Sequence, residues 1–410
     1  MKLLLFFLVL IQGVILISGK KGYYSKKGSH IYKRPNGSVS DPYPTVFKEK
    51  YEGGLRFLIF GDWGQEGNGT GQPQVAAAMK TWADRNKTTF IINVGDNFYQ
   101  TSNTTAKAVT DPIDHEGVSN ETDHKWKSYW LDVYGGRLKD IKWFSVAGNH
   151  DWYNNVSAEV DYFWNVDSRF FLPSLYYVRK VKFGEGKCAA FIHIDTDPYY
   201  YNYTSYNHTN NLKQTLNNFN LYTPEQLDGR LKWLEDQLKK VQDADWIFVV
   251  GHHPLIGDCR IKNDAYYLMY EIPPILTKYN VSAYFNGHAH DLSFSAANAT
   301  SPVTYFGSGA GGATLGTGCL NPDWASPYTF GFLSVKIPAN GKTLYFDFVD
   351  ANKTDTPPKV IYSGLKKNFM PKISSISKAL QHVQRNNPVD ILELNLFVSA
   401  LYFSASCGLS

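Results

Sequence analysis

The sequence predicts an α/β fold of two packed, mixed β-sheets with helices on the outer faces. Three patterns predict it. From Leu55 onward, short apolar runs alternate with helical stretches, which argues for βαβ units and a mostly parallel sheet. Beyond residue 303 the chain reads as strand and turn only, a β-meander. Five of the apolar runs end on a glycine followed at once by metal-binding residue types, as strands do at the ligand-binding edge of an α/β sheet.

Each element follows from its residues. Leu55-Arg56-Phe57-Leu58-Ile59-Phe60 is strand-like and ends at Gly61-Asp62-Trp63-Gly64. A helical stretch covers Gln72 to Arg85, and the buried-strand run 89–94 ends at Gly95-Asp96-Asn97-Phe98-Tyr99. A second helix is expected over Trp126 to Tyr134, then a strand over 141–147 ending at Gly148-Asn149-His150-Asp151. Tyr176 to Asp195 reads as a hairpin around Gly184-Glu185-Gly186, and 198–222 as a long Tyr/Asn-rich loop. Thr223 and Pro224 open a helix to Lys240 with Leu227, Leu231, Leu234 and Leu238 on one face. Trp246 to Val250 ends at Gly251-His252-His253-Pro254. A helix around Tyr266 to Tyr279 leads to the strand 281–285 and Gly287-His288-Ala289-His290. Strands at 303–306, 329–337 and 342–350 complete the pattern, with no linker that would split it.

Composition narrows the function. Hydrophobic content of 43% over 410 residues supports a substantial core. A net charge of +4 without a basic stripe argues against nucleic acid as a partner. Residues 1–19 read as a signal peptide: Lys2 is the positive flank, Leu3 to Ile17 the apolar core, and Ser18-Gly19 the small residues before Lys20-Lys21. Residues 20–50 read as an extended basic leader, 51–387 as the domain, and 388–410 as an apolar tail expected to dock on the core. That tail leaves membrane association open, although a stable one is not expected. Sequons at Asn36, Asn68, Asn86, Asn103, Asn120, Asn155, Asn202, Asn207, Asn280, Asn298 and Asn352 point to a glycosylated protein of the secretory pathway, secreted or lysosomal. Such a compartment permits disulfides among Cys188, Cys259, Cys319 and Cys407; three full pairings are open to them, and Cys259 with Cys319, both in loops after strand ends, is one candidate.

The chemistry lies at the strand ends. Asp96 has two oxygens and can bridge two ions, and Tyr99, once ionised, is a hard ligand suited to Fe(III). Asp62, Asn149, His150, His252, His253, His288 and His290 occupy the other strand ends. One such motif alone is commonly a turn or a structural histidine; five in order point to a two-metal site.

In order and spacing, GDWG, GDNFY, GNHD, VVGHHP and GHAH resemble the motifs of the purple acid phosphatases, in the short form of the animal tartrate-resistant enzymes. The resemblance covers residues 55–350. It implies a metallophosphoesterase-like four-layer sandwich and an acid phosphatase. Such an enzyme hydrolyses phosphate monoesters by attack of a metal-bound hydroxide at a dinuclear Fe(III)–M(II) site, M being Fe(II), Zn or Mn. Fe(III) would take Asp62, Tyr99 and His290, Asp96 would bridge, and the divalent ion would take Asn149, His252 and His288. Gly64 stands where many related metallophosphoesterases carry a ligand histidine, and Tyr99 replaces it. His150 resembles the histidine that contacts phosphate and protonates the leaving group. Asn149 also faces substrate, and His253 is a candidate for lining the pocket. Asp151 is expected to orient its neighbours. The 198–222 loop takes the place of the one that covers the mammalian active site. Expected substrates are small phosphate monoesters or phosphoproteins. Two alternatives stand beside this: a non-catalytic membrane-associated scaffold, and a phosphodiesterase or nucleotidase.

Overall fold

Short segments, most of them apolar and too short for stable helices, form the strands. In the computed structural model these are β1 Phe47–Tyr51, β2 Leu55–Phe60, β3 Phe90–Asn93, β4 Trp143–Ser145, β5 Phe170–Phe171, β6 Tyr177–Phe183, β7 Lys187–His193, β8 Trp246–Val250, β9 Ala283–Asn286, β10 Leu292–Ser295, β11 Thr304–Ser308, β12 Trp324–Ser326, β13 Gly331–Ile337, β14 Thr343–Asp350 and β15 Lys359–Lys367. The structure describes residues 32–66, 69–100, 115–200, 221, 224–256, 266–316, 322–352 and 358–368. The expected signal peptide, Thr223, Cys259, Cys319, Cys407, most of the 198–222 loop and the apolar tail lie outside them. So do Asn68, Asn103, Asn202 and Asn207; the sequon asparagines that are described are all exposed. Among the described residues Cys188 has no disulfide partner.

Both sheets are mixed, as expected. One runs β15-β14-β13-β2-β3-β4-β5, the other β1-β6-β7-β8-β9-β11-β10-β12. The parallel blocks β2-β3-β4-β5 and β7-β8-β9-β11 carry the expected alternation of strand and crossover. The C-terminal meander joins the first block: β13 pairs antiparallel with β2, with Leu333 opposite Ile59. β3, β8 and β9 are buried at every residue, as parallel strands covered on both faces must be.

The sheets meet through aromatic rings. Phe57 stands edge-on to Phe191, Phe248 and Phe285 across the interface, with centroids 5.7, 6.2 and 6.3 Å away. Within this core Arg179 is fully buried, paired with Glu49, its guanidinium 2.9 Å from the Phe144 ring centroid. Helix Gln72–Asn86 covers the first sheet, where Trp82 Nε1 donates to Ser334 Oγ at 2.9 Å. Helix Pro224–Lys240 buries Leu234 and Leu238. Helix Tyr266–Lys278 lies beside it, joined by Lys278–Glu235 at 2.8 Å.

The structure adds helix Val156–Asn165 and strands β5, β10, β12 and β15, which no sequence pattern announces, and two expected features differ. The helix expected over Trp126 to Tyr134 is a six-residue π-helical turn, Trp126–Leu131. Its wide turn lays Trp126 flat on Tyr162, centroids 3.6 Å apart. The folded region also begins before residue 51. Tyr43 and Phe47 are buried, Tyr43 N–H donates to the Tyr176 carbonyl at 2.8 Å, and β1 pairs parallel with β6. These anchoring rings are scattered among lysines and prolines, so no periodicity reveals them.

Candidate metal centre

The loops after β2, β3 and β4 on one sheet and after β8 and β9 on the other meet at a common edge. Backbone bonds stitch them together: Asp62 N–H to Gly95 C=O at 2.9 Å, Tyr99 N–H to Gly64 C=O at 2.9 Å, and Gly287 N–H to His252 C=O at 2.9 Å. The His288 N–H reaches across to both Asp62 oxygens, at 3.0 Å each. The turns are strained. Asp62, Asp96, His288 and His290 sit at φ of 57, 51, 70 and 53°, a left-handed region costly for side chains other than glycine. Gly148 is required because a Cβ there would meet the Asp96 backbone nitrogen at 2.6 Å.

Two clusters of donor atoms share one carboxylate oxygen. Tyr99 Oη lies 3.2 Å from Asp62 Oδ1, 2.9 Å from Asp96 Oδ2 and 2.9 Å from His290 Nε2. On the other side, His252 Nε2 is 3.3 Å from the same Asp96 Oδ2 and 3.2 Å from Asn149 Oδ1, which is 2.9 Å from His288 Nδ1. All seven side chains sit in buried residues. Spacings near 3 Å fit donors sharing an ion about 2.1 Å away. The first cluster offers three oxygens and one imidazole, suited to a hard ion; the second suits a divalent one. Hydrogen bonds behind two of the histidines set their tautomers. His252 Nδ1–H donates to the Val94 carbonyl at 2.8 Å and His290 Nδ1–H to the Thr314 carbonyl at 2.6 Å, leaving each Nε2 for a metal.

The charges are those of a cation site. Burial, then the carboxylates of Asp96 and Asp62, pushes the Tyr99 phenol well above its usual range. Burial opposes charge on Asp96, but His252 and then His150 hold it well below the usual carboxylate range. Burial likewise opposes the His252 imidazolium, yet Asp96 raises it to about 9. A bound cation would replace these protons.

Residues 55–292 match the calcineurin-like phosphoesterase family. The chain belongs to that family. It is 28% identical over 350 residues to purple acid phosphatase 7 of Arabidopsis thaliana, covering 82% of this chain and 90% of the relative. It is 28% identical over 254 residues to tartrate-resistant acid phosphatase type 5 of Homo sapiens, covering 58% and 68%. Among solved structures it resembles GAP50, described as the anchor in the inner membrane complex of Plasmodium. There the TM-score is 0.60 at 25% identity, over 81% of this chain and 95% of that one.

This phosphoesterase site includes residues that the motifs name and others they do not. The His150 backbone N–H donates to Asp96 Oδ1 at 2.8 Å, and its ring lies 4.0 Å from that of Tyr99. Burial lowers its pKa, but Asp96 and then Glu116 turn the net shift upward. His253 is fully buried; Nδ1 is 2.8 Å from Thr196 Oγ1, and its ring stacks on Tyr200 at 4.0 Å and lies 4.5 Å from His288. Burial, then His288, holds it well below the usual imidazole range, so it backs the second cluster as a neutral ring. Asp151 joins two motif turns, accepting Asn97 N–H at 2.9 Å and Gly148 N–H at 2.8 Å. Behind it Glu159 is buried and pushed well up, first by burial and then by Asp151. Glu116 and Glu159 belong to no motif, and no sequence signal marks them.

Proposed function

We propose that this phosphoesterase is an acid phosphatase of the purple type, hydrolysing phosphate monoesters at a dinuclear Fe(III)–M(II) centre. The observation that carries this is the single Asp96 oxygen shared by the two donor clusters, with the Tyr99 phenol in one of them. Two ions held there would supply Lewis acidity toward water and the phosphoryl oxygens. The chain supplies the rest. Asp96 and the strained turns fix the spacing of the clusters. Asn149 and His150 present amide and imidazole to the phosphate, and His150, positively biased beside Asp96, delivers a proton to the departing alkoxide. Small phosphate monoesters or phosphoproteins are the substrates this reading favours. The sequons and leading apolar run support a glycosylated, secreted or lysosomal protein.

A second reading follows from the likeness to GAP50: an anchoring role on the same fold. Among the described residues no helix is long and apolar enough to cross a membrane. Seven intact ligands support the enzyme, since an anchor has no physical need of them. Metal analysis with hydrolysis of p-nitrophenyl phosphate at acidic pH separates the two. The enzyme reading expects two metal ions per chain, one of them iron, and turnover. A protein with neither iron nor turnover overturns it.

A further inference from the structure

Glu116 has no place in the family's motifs, yet its carboxylate Oε2 lies 2.8 Å from His150 Nδ1. We propose that Glu116 is a positioning residue for His150: it accepts the Nδ1 proton and so leaves the imidazolium's second proton, on Nε2, to pass to the departing alkoxide. The catalytic consequence rests on the phosphatase reading above.

The carboxylate is built into place. The Glu116 carbonyl accepts Asn154 Nδ2–H at 2.9 Å, and the Gly117 N–H donates to the Phe98 carbonyl at 2.8 Å. The buried ammonium of Lys125 donates to the carbonyls of Tyr99 at 3.0 Å, of Gly117 at 3.1 Å and of His115. Gly117 sits at φ +57°, and a Cβ there would meet the carbonyls of His150 and Asp151 at 3.1 Å each. The segment bearing Glu116 is thus pressed against the backbone of the residue it orients. Its anchors come from the loop after β3, from the turn before Trp126 and from the end of helix Asn149–Trp152.

The imidazole needs this partner. Its ring lies on Tyr99 at 4.0 Å and against the edge of Tyr153 at 5.1 Å. These rings limit its tilt but do not choose which nitrogen bears the proton. A carboxylate acceptor chooses it. With side chains only 18% and 23% exposed, the Glu116–His150 bond is partly shielded from solvent, where a charge-assisted bond keeps its strength. The same oxygen also accepts the Gln100 N–H at 2.8 Å. The rival role is therefore a staple for the loop after Tyr99, and the experiment must separate the two.

Glu116→Ala in the full chain should keep both metals and an unchanged KM. It should lower kcat about 10–100-fold on glycerol 2-phosphate, whose alkoxide needs a proton. The loss on p-nitrophenyl phosphate, whose leaving group needs none, should be small. In a His150→Ala background the same change should add nothing. Glu116→Gln, which keeps an acceptor for both N–H groups, should fall between. Equal losses on the two esters, or a full additional loss in the His150→Ala background, would establish the staple and overturn the proposal. Nitrogen NMR of the zinc-loaded protein gives a readout without turnover. At a pH where the ring is neutral, His150 should carry its proton on Nδ1 in the wild type and lose that preference in Glu116→Ala. A wild-type His150 protonated on Nε2 alone overturns the proposal. A wild type inactive on both esters but protonated on Nδ1 overturns only the phosphatase reading.

Discussion

A phenol buried beside two carboxylates keeps its proton unless a cation displaces it. That is the situation of Tyr99, and it makes the residue diagnostic: Tyr99→Phe should abolish the visible charge-transfer band of the iron-loaded protein. Persistence of the band in the variant would exclude Tyr99 as the iron ligand. His252 offers a second test at the same scale. Its imidazolium, opposed by burial but raised by Asp96 to about 9, gains stability on folding. That contribution is complete below the ordinary value of 6.5 and lost as pH climbs through about 9. The chelated protein should therefore melt at progressively lower temperature from pH 6.5 to 9. The metal-loaded protein, with an ion in place of the Nε2 proton, should lack this slope. A flat profile after chelation would contradict the His252–Asp96 pairing. These residues were readable in the sequence because each stands within a few positions of a strand-ending glycine. Glu116 was not. It lies 20 residues beyond Asp96 in a segment without pattern, and only the fold brings it to His150.

At the scale of the elements, function resides in the turns that end β2, β3, β4, β8 and β9. Their glycines were legible, but the left-handed backbone of Asp62, Asp96, His288 and His290 was not, since Asp and His do not ordinarily adopt it. The turns interlock, so one added methyl should travel. Gly148→Ala puts a Cβ 2.8 Å from the His252 ring as well as against the Asp96 turn. The expected result is loss of both metals and destabilisation of about 1–3 kcal/mol, read by metal analysis and urea unfolding. Normal metal content in this variant would show that the turn yields without cost. Asp151, from the turn after β4, joins the Asn97 and Gly148 turns, in line with the orienting role expected of it. The π-helical turn at Trp126 escaped the sequence reading because its apolar spacing also fits an α-helix.

Over the whole molecule, the buried Arg179–Glu49 pair sits between the sheets, roofed by Phe144. Arg179→Met should destabilise the protein by about 3–5 kcal/mol, because it leaves the Glu49 charge poorly compensated in the core. A shift in the urea midpoint at constant slope would measure it. An unchanged midpoint would show that Lys142, 3.4 Å from Glu49, suffices alone. By itself the sequence determined the α/β class, the order of the motif-bearing strands along the chain and the five strand-end motifs. Alternating periodicity and strand-ending glycines are local properties that short segments carry. Only the tertiary structure decided that the meander extends the first sheet beside β2, that residues near Phe47 belong to the second, and that one Asp96 oxygen serves both donor clusters. It also placed Glu116 on His150. These are contacts between segments distant along the chain, set by how two sheets bury their facing rings, and no local pattern encodes them.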